Sequence, residues 1–251
     1  MLENSEKQSN IICGKNPVLE ALRSGREIDR LLIAHGSNGG STKEIIAKCS
    51  KRGILIKEVS PQKLDFYCGG SNHQGVAIMF ASHTYCTVDD ILSAAAEKGE
   101  DPFIIICDEI EDPHNLGAII RTAEVCGAHG IIIPKRRSAS LNATVSKTSA
   151  GALEYIPVAR VTNISATIDE LKEKGVWIFG ADMAGENYSL TDYRLPCALV
   201  IGNEGKGIGP LVRKKCDKII CLPMRGKINS LNASVAAGVL MYKVMESRNI
   251  Q

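Results

Sequence analysis

Along the chain, short and almost wholly apolar runs alternate with stretches in which apolar residues recur every three or four positions. The first pattern predicts strands buried on both faces, the second amphipathic helices. Their alternation predicts a parallel sheet covered by helices. The rhythm is sharpest from Phe103 onward. Strands are expected at 103–107 (FIIIC), 130–134 (GIIIP), 154–159 (EYIPVA), 176–180 (VWIFG), 197–202 (CALVIG) and 218–223 (KIICLP). Helices are expected at Leu116 to Cys126, Asn142 to Ala150, Ser165 to Lys174, Pro210 to Lys215 and Ser230 to Glu246.

A softer version of the pattern occupies residues 11–80. Asn16 to Arg23 reads as a helix with Asn16 as its cap, Pro17 at its first position and Gly25 beyond its end. Ser41 to Lys51 reads as another, with Ser41 and Glu44 at capping-box spacing. Arg30 to Ala34, Ile54 to Ile56 and Val76 to Phe80 read as strands. The expected organisation is a flexible tail (1–10), a small α/β domain (11–80), a linker (81–101) holding a short helix, and a larger α/β domain (102–251). No repeat of solenoid or propeller period is present.

Composition narrows the class. Of the 251 residues, 44% are hydrophobic and 23% charged, which is ordinary for a globular protein and argues against disorder. No apolar run approaches the ~20 residues of a membrane helix, and the polar N-terminus lacks a signal-peptide core. The nine cysteines form no C-x-x-C pair and lie mostly in apolar surroundings, which predicts reduced core residues in a cytoplasmic protein without a metal site. The net charge of +2 is uneven: residues 81–114 carry one Lys against nine Asp and Glu, whereas 115–251 carry 18 Lys and Arg against 11 acids. Basic segments attract phosphate, yet an excess this modest fits many enzymes.

In a parallel sheet, ligands bind at the carboxyl ends of the strands, so the loops that follow strands are where chemistry belongs. Three stand out. After 103–107, Asn115 and Arg121 lie six apart in an apolar helix, where an unpaired buried charge would be costly. After 197–202, the stretch VIGNEGKGIGP (200–210) places Glu204 among four glycines in a frame that is neither a dinucleotide fingerprint nor a P-loop. After 218–223, Ser230, Asn232 and Ser234 open a long helix rich in small residues, suited to internal packing or to a subunit interface.

In this order and spacing, NLGAIIRTAEVCGAHGIII (115–133), VIGNEGKGI (200–208) and LPMRGKINSLNASVAAGVLMYKV (222–244) resemble the signature motifs of the SpoU (TrmH-type) RNA 2′-O-ribose methyltransferases. The stretch SKTSAGALEYIPVARVTN (146–163) is similar to the RlmB-like subgroup, which modifies a guanosine of 23S ribosomal RNA. CGKNPVLEAL (13–22) and HQGVAI (73–78) resemble that subgroup's RNA-binding domain, itself similar to ribosomal protein L30e.

The resemblance implies a SPOUT fold, an α/β domain whose chain end is threaded into a deep trefoil knot. It implies S-adenosylmethionine held largely by backbone groups at Gly202, Leu222 and Leu231, with Gly180, Ile201, Met224, Ser230 and Asn232 nearby. It further implies a homodimer formed through the last helix, RNA as the partner, and transfer of a methyl group to a ribose 2′-hydroxyl. Family proposals make Arg121 the base. An arginine pKa of about 12.5–13.8 leaves little neutral form at pH 7, so a phosphate-holding role stays open. Asn115, Glu204, Ser230 and Asn232 would orient Arg121, ribose and cofactor. Ala233 stands where the family often has valine, a change in packing. Two rivals remain within the fold, a transfer-RNA methyltransferase and a non-catalytic RNA-binding protein. An ordinary doubly wound oxidoreductase would need a glycine fingerprint that DEIEDPHNLG (108–117) lacks.

Overall fold

Two sheets form along the chain, each packed by hydrophobic clusters of its own. The computed structural model describes residues 10–24, 26, 28–80, 83–228 and 230–249. Its contacts divide the chain into one unit up to Thr84 together with residues 140–143, and a second running from Tyr85 to Ala139 and from Thr144 onward. The expected tail, apart from Asn10, lies outside the described residues, as does Gly25.

The first unit comprises β1 (Ile11–Cys13), α1 (Lys15–Arg23), β2 (Ile28–Ala34), α2 (Gly40–Lys51), β3 (Leu55–Val59), α3 (Pro61–Tyr67) and β4 (Val76–Phe80). Its sheet has the order β1-β4-β2-β3, with β4 antiparallel to both neighbours and β2 parallel to β3. Successive strand residues serve opposite faces. Leu31 and Ile33 pack with Val18, Leu22 and Ile45, while Leu32 and Ala34 pack with Leu64 and Ala77. Both predicted caps are corrected here. Helix α1 starts at Lys15 with Gly14 as its cap, so Asn16 lies inside it. Helix α2 starts at Gly40, and Glu44 bonds Lys48 one turn on (2.6 Å) instead of closing a capping box with Ser41.

The second unit comprises α4 (Val88–Glu97), β5 (Phe103–Asp108), α5 (Pro113–Val125), β6 (Gly130–Pro134), α6 (Ala143–Thr148), β7 (Val158–Val161), α7 (Ile164–Glu173), β8 (Trp177–Asn187), β9 (Cys197–Gly202), α8 (Pro210–Lys215), β10 (Lys218–Cys221) and α9 (Ala233–Asn249). All six strands are parallel, in the order β10-β8-β9-β5-β6-β7. The continuous apolar runs are explained by burial on both faces: Ile104, Ile106, Ile132, Ile178, Ala198 and Val200 share one core. Helix α4, expected in the linker, contributes Ile91 to that same core, and Thr87 and Asp90 close a capping box at its start. All nine cysteines are free, five of them buried.

Two strands depart from expectation. Strand β7 begins at Val158, because Ala152–Glu154 form a 3-10 turn and Tyr155 is exposed. Strand β8 runs on past Gly180 to Asn187 through polar residues that alternation could not flag. Its register against β10 jumps from Ile219↔Gly180 to Ile220↔Glu186, so residues 181–185 bulge out of the ladder. The chain re-enters at Gly185, where a Cβ would lie 2.6 Å from the backbone of Ile219. Only glycine fits that approach.

Candidate functional site

The bulge in β8 and the loops after β9 and β10 enclose a cavity of about 440 Å³. Ala181, Asp182 and Met183 form one wall, residues 201–207 the second, and Ile220, Leu222, Met224, Ser230 and Leu231 the third, with Ala233 and Ala236 of α9 closing it. The volume falls in the roughly 300–1,000 Å³ range of small-molecule sites, and the lining mixes aliphatic side chains with strand-end backbone. Five of the six residues expected to hold the cofactor line it: Ile201, Gly202, Leu222, Met224 and Leu231. Gly180 does not. It is buried one residue short of the wall, against Cys216, Ile208 and Ile219.

The loop after β9 is built around Asn203. Its Oδ1 accepts the backbone N–H groups of Gly205 (2.9 Å) and Lys206 (3.3 Å), and its Nδ2 donates to the carbonyl of Glu109 (3.0 Å). The backbones of Asn203 and Gly207 exchange two hydrogen bonds, folding the loop onto itself. A Cβ on Gly202 would lie 2.2 Å from the carbonyl carbon of Gly207. The glycine expected to admit a ligand therefore admits the loop's own return. At the loop's end, the Gly209 N–H donates to Oδ2 of Asp108 (2.8 Å). Burial raises the Asp108 carboxyl above the usual range; the Gly209 bond opposes this and the neighbouring charge of Glu109 adds to it.

Beside the cavity, three residues from distant parts of the sequence meet. Asn232 precedes α9, and its Oδ1 caps that helix by accepting the N–H groups of Ser234 (2.9 Å) and Val235 (3.3 Å). Its Nδ2 donates to Oδ1 of Asn115 and to Oε1 of Glu204, both at 3.0 Å. The Nδ2 of Asn115 also donates to Glu204 Oε1. Asn115 can reach this cluster because Asp112, not Asn115, caps α5, which leaves Asn115 buried in the first turn. Asn232 thus couples the start of one helix to the other two motifs.

Arg121 stands apart from the cluster. It lies about 9 Å further along α5 than Asn115, at ~1.5 Å per residue. It is also exposed, so the expectation of a costly buried charge is overturned. Among the described residues it has no hydrogen-bond or ion-pair partner. Its face of α5 carries exposed Val125, and the packed neighbour α9 turns Val235, Val239 and Tyr242 outward. Of the two readings of the small residues of α9, Ala233 and Ala237 follow internal packing and point inward. Sequence reasoning also missed Ala181, Asp182, Met183, Asn203 and Asp108. For Asn203, the signal was its place directly before Glu204.

A two-unit α/β chain with this strand order and a cavity at the strand ends defines a class, and comparison with known proteins names it. Residues 102–242 match the model of the SpoU rRNA Methylase family, and residues 11–86 match that for RNA 2'-O ribose methyltransferase substrate binding. The chain belongs to the SpoU/TrmH family of S-adenosylmethionine-dependent RNA methyltransferases. It is 51% identical over 244 residues to YacO of Bacillus subtilis, named as a TrmH family tRNA/rRNA methyltransferase, covering 97% of this chain and 98% of that one. It is 44% identical to a like-named protein of Staphylococcus aureus (96% and 98%). The AdoMet-bound rRNA methyltransferase of Sinorhizobium meliloti superposes with a TM-score of 0.60 at 26% identity, over 96% of this chain and 88% of that one. The A. aeolicus TrmH/SpoU tRNA modifying enzyme gives 0.55 at 29%, over 59% and 76%. Among the described residues no helix is long and apolar enough to cross a membrane, and no cluster of side chains could hold a metal.

Proposed function

We propose that the protein methylates a ribose 2′-hydroxyl of RNA, at a guanosine of large-subunit ribosomal RNA, as a cytoplasmic homodimer. The observation that carries the ribose reading is the cluster of Asn115, Glu204 and Asn232 beside the cavity. Its hydrogen bonding is incomplete in a useful way. The Nδ2 group of Asn232 is fully engaged, whereas Oε2 of Glu204 and the second N–H of Asn115 have no further partner among the described residues. A free acceptor beside a free donor suits a hydroxyl, which needs both.

The cavity fits S-adenosylmethionine: Ile201, Leu222, Met224 and Leu231 supply apolar walls, and Gly202 and its neighbours supply backbone donors and acceptors. When bound, this cofactor supplies a methyl group on a sulfonium centre. The chain's own residues then do the positioning. Glu204 Oε2 accepts the hydrogen bond of the ribose hydroxyl and takes up its proton as the oxygen is methylated, Asn115 donates to the oxygen, and Ser230, on the cavity wall, orients the sugar. Arg121 holds the phosphate beside the target ribose. The outward face of Val235, Val239 and Tyr242 is the dimer contact, and docking a second copy there brings Arg121 into a site made by two chains.

The specific alternative is transfer RNA, since similar proteins carry both names. The test is transfer of labelled methyl groups to unmodified ribosomal and transfer RNA, followed by nucleoside mapping. Label at one 2′-O-methylguanosine of large-subunit RNA is expected. Label confined to transfer RNA, or to a base, overturns the assignment.

A further inference from the structure

We infer that Lys206, Arg225 and Lys227 form a phosphate-docking rim that holds the RNA strand across the mouth of the cavity. The inference rests on RNA being the substrate but not on which RNA. Met224 lines the cavity, Arg225 and Lys227 follow it directly in the chain, and Lys206 lines another wall. Residues 223–228 are exposed, as is Lys206.

Four cations on neighbouring strands and helices are neutralised whereas these three are not; Arg121, Lys135, Arg136 and Lys214 are unpaired as well among the described residues, but they lie outside the stretches that line the cavity. Cations on the flanks of the same strands and helices are neutralised: Arg213 by Asp182 (3.3 Å), Lys218 by Glu186 (2.9 Å), Lys172 by Asp217 (2.6 Å), and Lys215 by Asp169. Lys206, Arg225 and Lys227 have no ion pair or hydrogen-bonded side-chain partner among the described residues. The carboxylates nearby do not pair with them. The stretch from Leu222 to Leu231 contains no acid. On the cavity walls, Asp182 is paired with Arg213, and Glu204 accepts from two asparagines.

Three unpaired cations set around the opening of an apolar cavity form a concentrated positive field, and a polyanion is the ligand it complements. Phosphates of the strand other than the one held by Arg121 would meet the rim while the target ribose faced Glu204 and Ser230. Exposed Ile228 (77%) and Leu231 (40%) add apolar surface to the same stretch, suited to the face of a base. The rim therefore orients the strand and acts through binding. It takes no part in proton or methyl transfer.

The experiment compares the wild-type protein with a Lys206→Ala, Arg225→Ala, Lys227→Ala triple variant on whichever RNA, ribosomal or transfer, the wild type methylates. An error in the substrate assignment then changes the RNA used and leaves the comparison intact. Each neutralised phosphate of a single strand contributes about 0.7 to the slope of log affinity against log salt. The variant is expected to show a slope shallower by roughly 2 and a raised KM for RNA, and an Arg225→Ala, Lys227→Ala double variant, which leaves the cavity wall intact, a slope shallower by about 1.4 with an unchanged kcat at saturating RNA and unchanged binding of S-adenosylmethionine by calorimetry. A Lys206→Arg, Arg225→Lys, Lys227→Arg variant keeps the charges and should keep the wild-type slope. An unaltered slope in the alanine variant overturns the rim. Equal loss of cofactor binding would overturn it as well, by showing the residues to be structural.

Discussion

The cavity and the polar cluster sit side by side at one end of a single sheet, yet they are made in opposite ways. The cavity is assembled from strand ends that are neighbours in the ladder, β8, β9 and β10, and its lining is mainly aliphatic side chains and backbone, with Glu204 shared between cavity and cluster. The cluster is assembled from residues 89 and 117 positions apart in sequence, and every contact in it is a side-chain hydrogen bond. The first should therefore set cofactor affinity and the second turnover, so mutations can separate the two.

Asn232→Ala offers the largest expected effect. It removes the N–H donors to both Asn115 and Glu204, leaving only the direct bond between those two, and turnover should fall by about 10²–10³-fold, the scale of a lost acid–base or positioning group. It also removes the cap of α9, at a cost of about 1 kcal/mol. Cofactor affinity should change little. Calorimetry alongside single-turnover methylation checks this, and an affinity loss matching the turnover loss would merge cavity and cluster into one functional unit.

The reverse case is Gly202→Ala. A methyl group there collides with the Gly207 backbone, and overpacking strain of about 1–3 kcal/mol should open the loop. Cofactor affinity should fall by roughly 10-fold or more. Unchanged binding would mean that the wall at 201–207 does not touch the cofactor.

These two variants also mark how far the sequence could be read. The six parallel strands were legible because burial on both faces leaves an unbroken apolar run. The continuation of β8 was not, because residues 181–187 line a cavity and an edge and follow no simple period. The three motif loops were legible through family resemblance, but their joints were not. Whether an asparagine caps a helix or bonds across the fold depends on where that helix starts. The same residue type does the first at Asn232, does only the second at Asn115, and does neither at Asn16. The exposure of Arg121 was hidden by its apolar sequence neighbours, since one turn of helix carries both buried and exposed positions.

A control far from both regions comes from the other end of α9. Arg248 donates to the carbonyls of Asp101 (2.7 Å), Pro102 (3.0 Å), Tyr193 (3.2 Å) and Leu195 (2.7 Å), tying the helix to the chain entering β5 and β9. Arg248→Ala should cost about 2 kcal/mol, as hydrogen bonds from a charged donor are each worth roughly 1.5–3 kcal/mol and these share one side chain. Thermal unfolding would show it. Arg248→Lys should recover only part, because an ammonium lacks the planar fork that reaches several carbonyls. If either variant lowers turnover at a temperature where it stays folded, α9 transmits strain from its far end to Asn232, and the contrast between cavity and cluster is no longer local.

The smallest effect tests what holds the cavity loop in place. Asp108 accepts the Gly209 N–H, and burial raises its pKa in the folded state above that of the unfolded chain. A raised folded pKa means that the folded state binds the proton more tightly. The stability linked to this group is therefore fully present below the ordinary carboxyl value of about 3.9 and is lost as pH rises through the folded value. Asp108→Asn keeps an acceptor for Gly209 and removes the titration. Melting temperatures taken from pH 4 to pH 7 should show the wild type losing stability relative to the variant as the carboxyl ionises. Parallel profiles would show that the buried carboxylate costs the fold nothing.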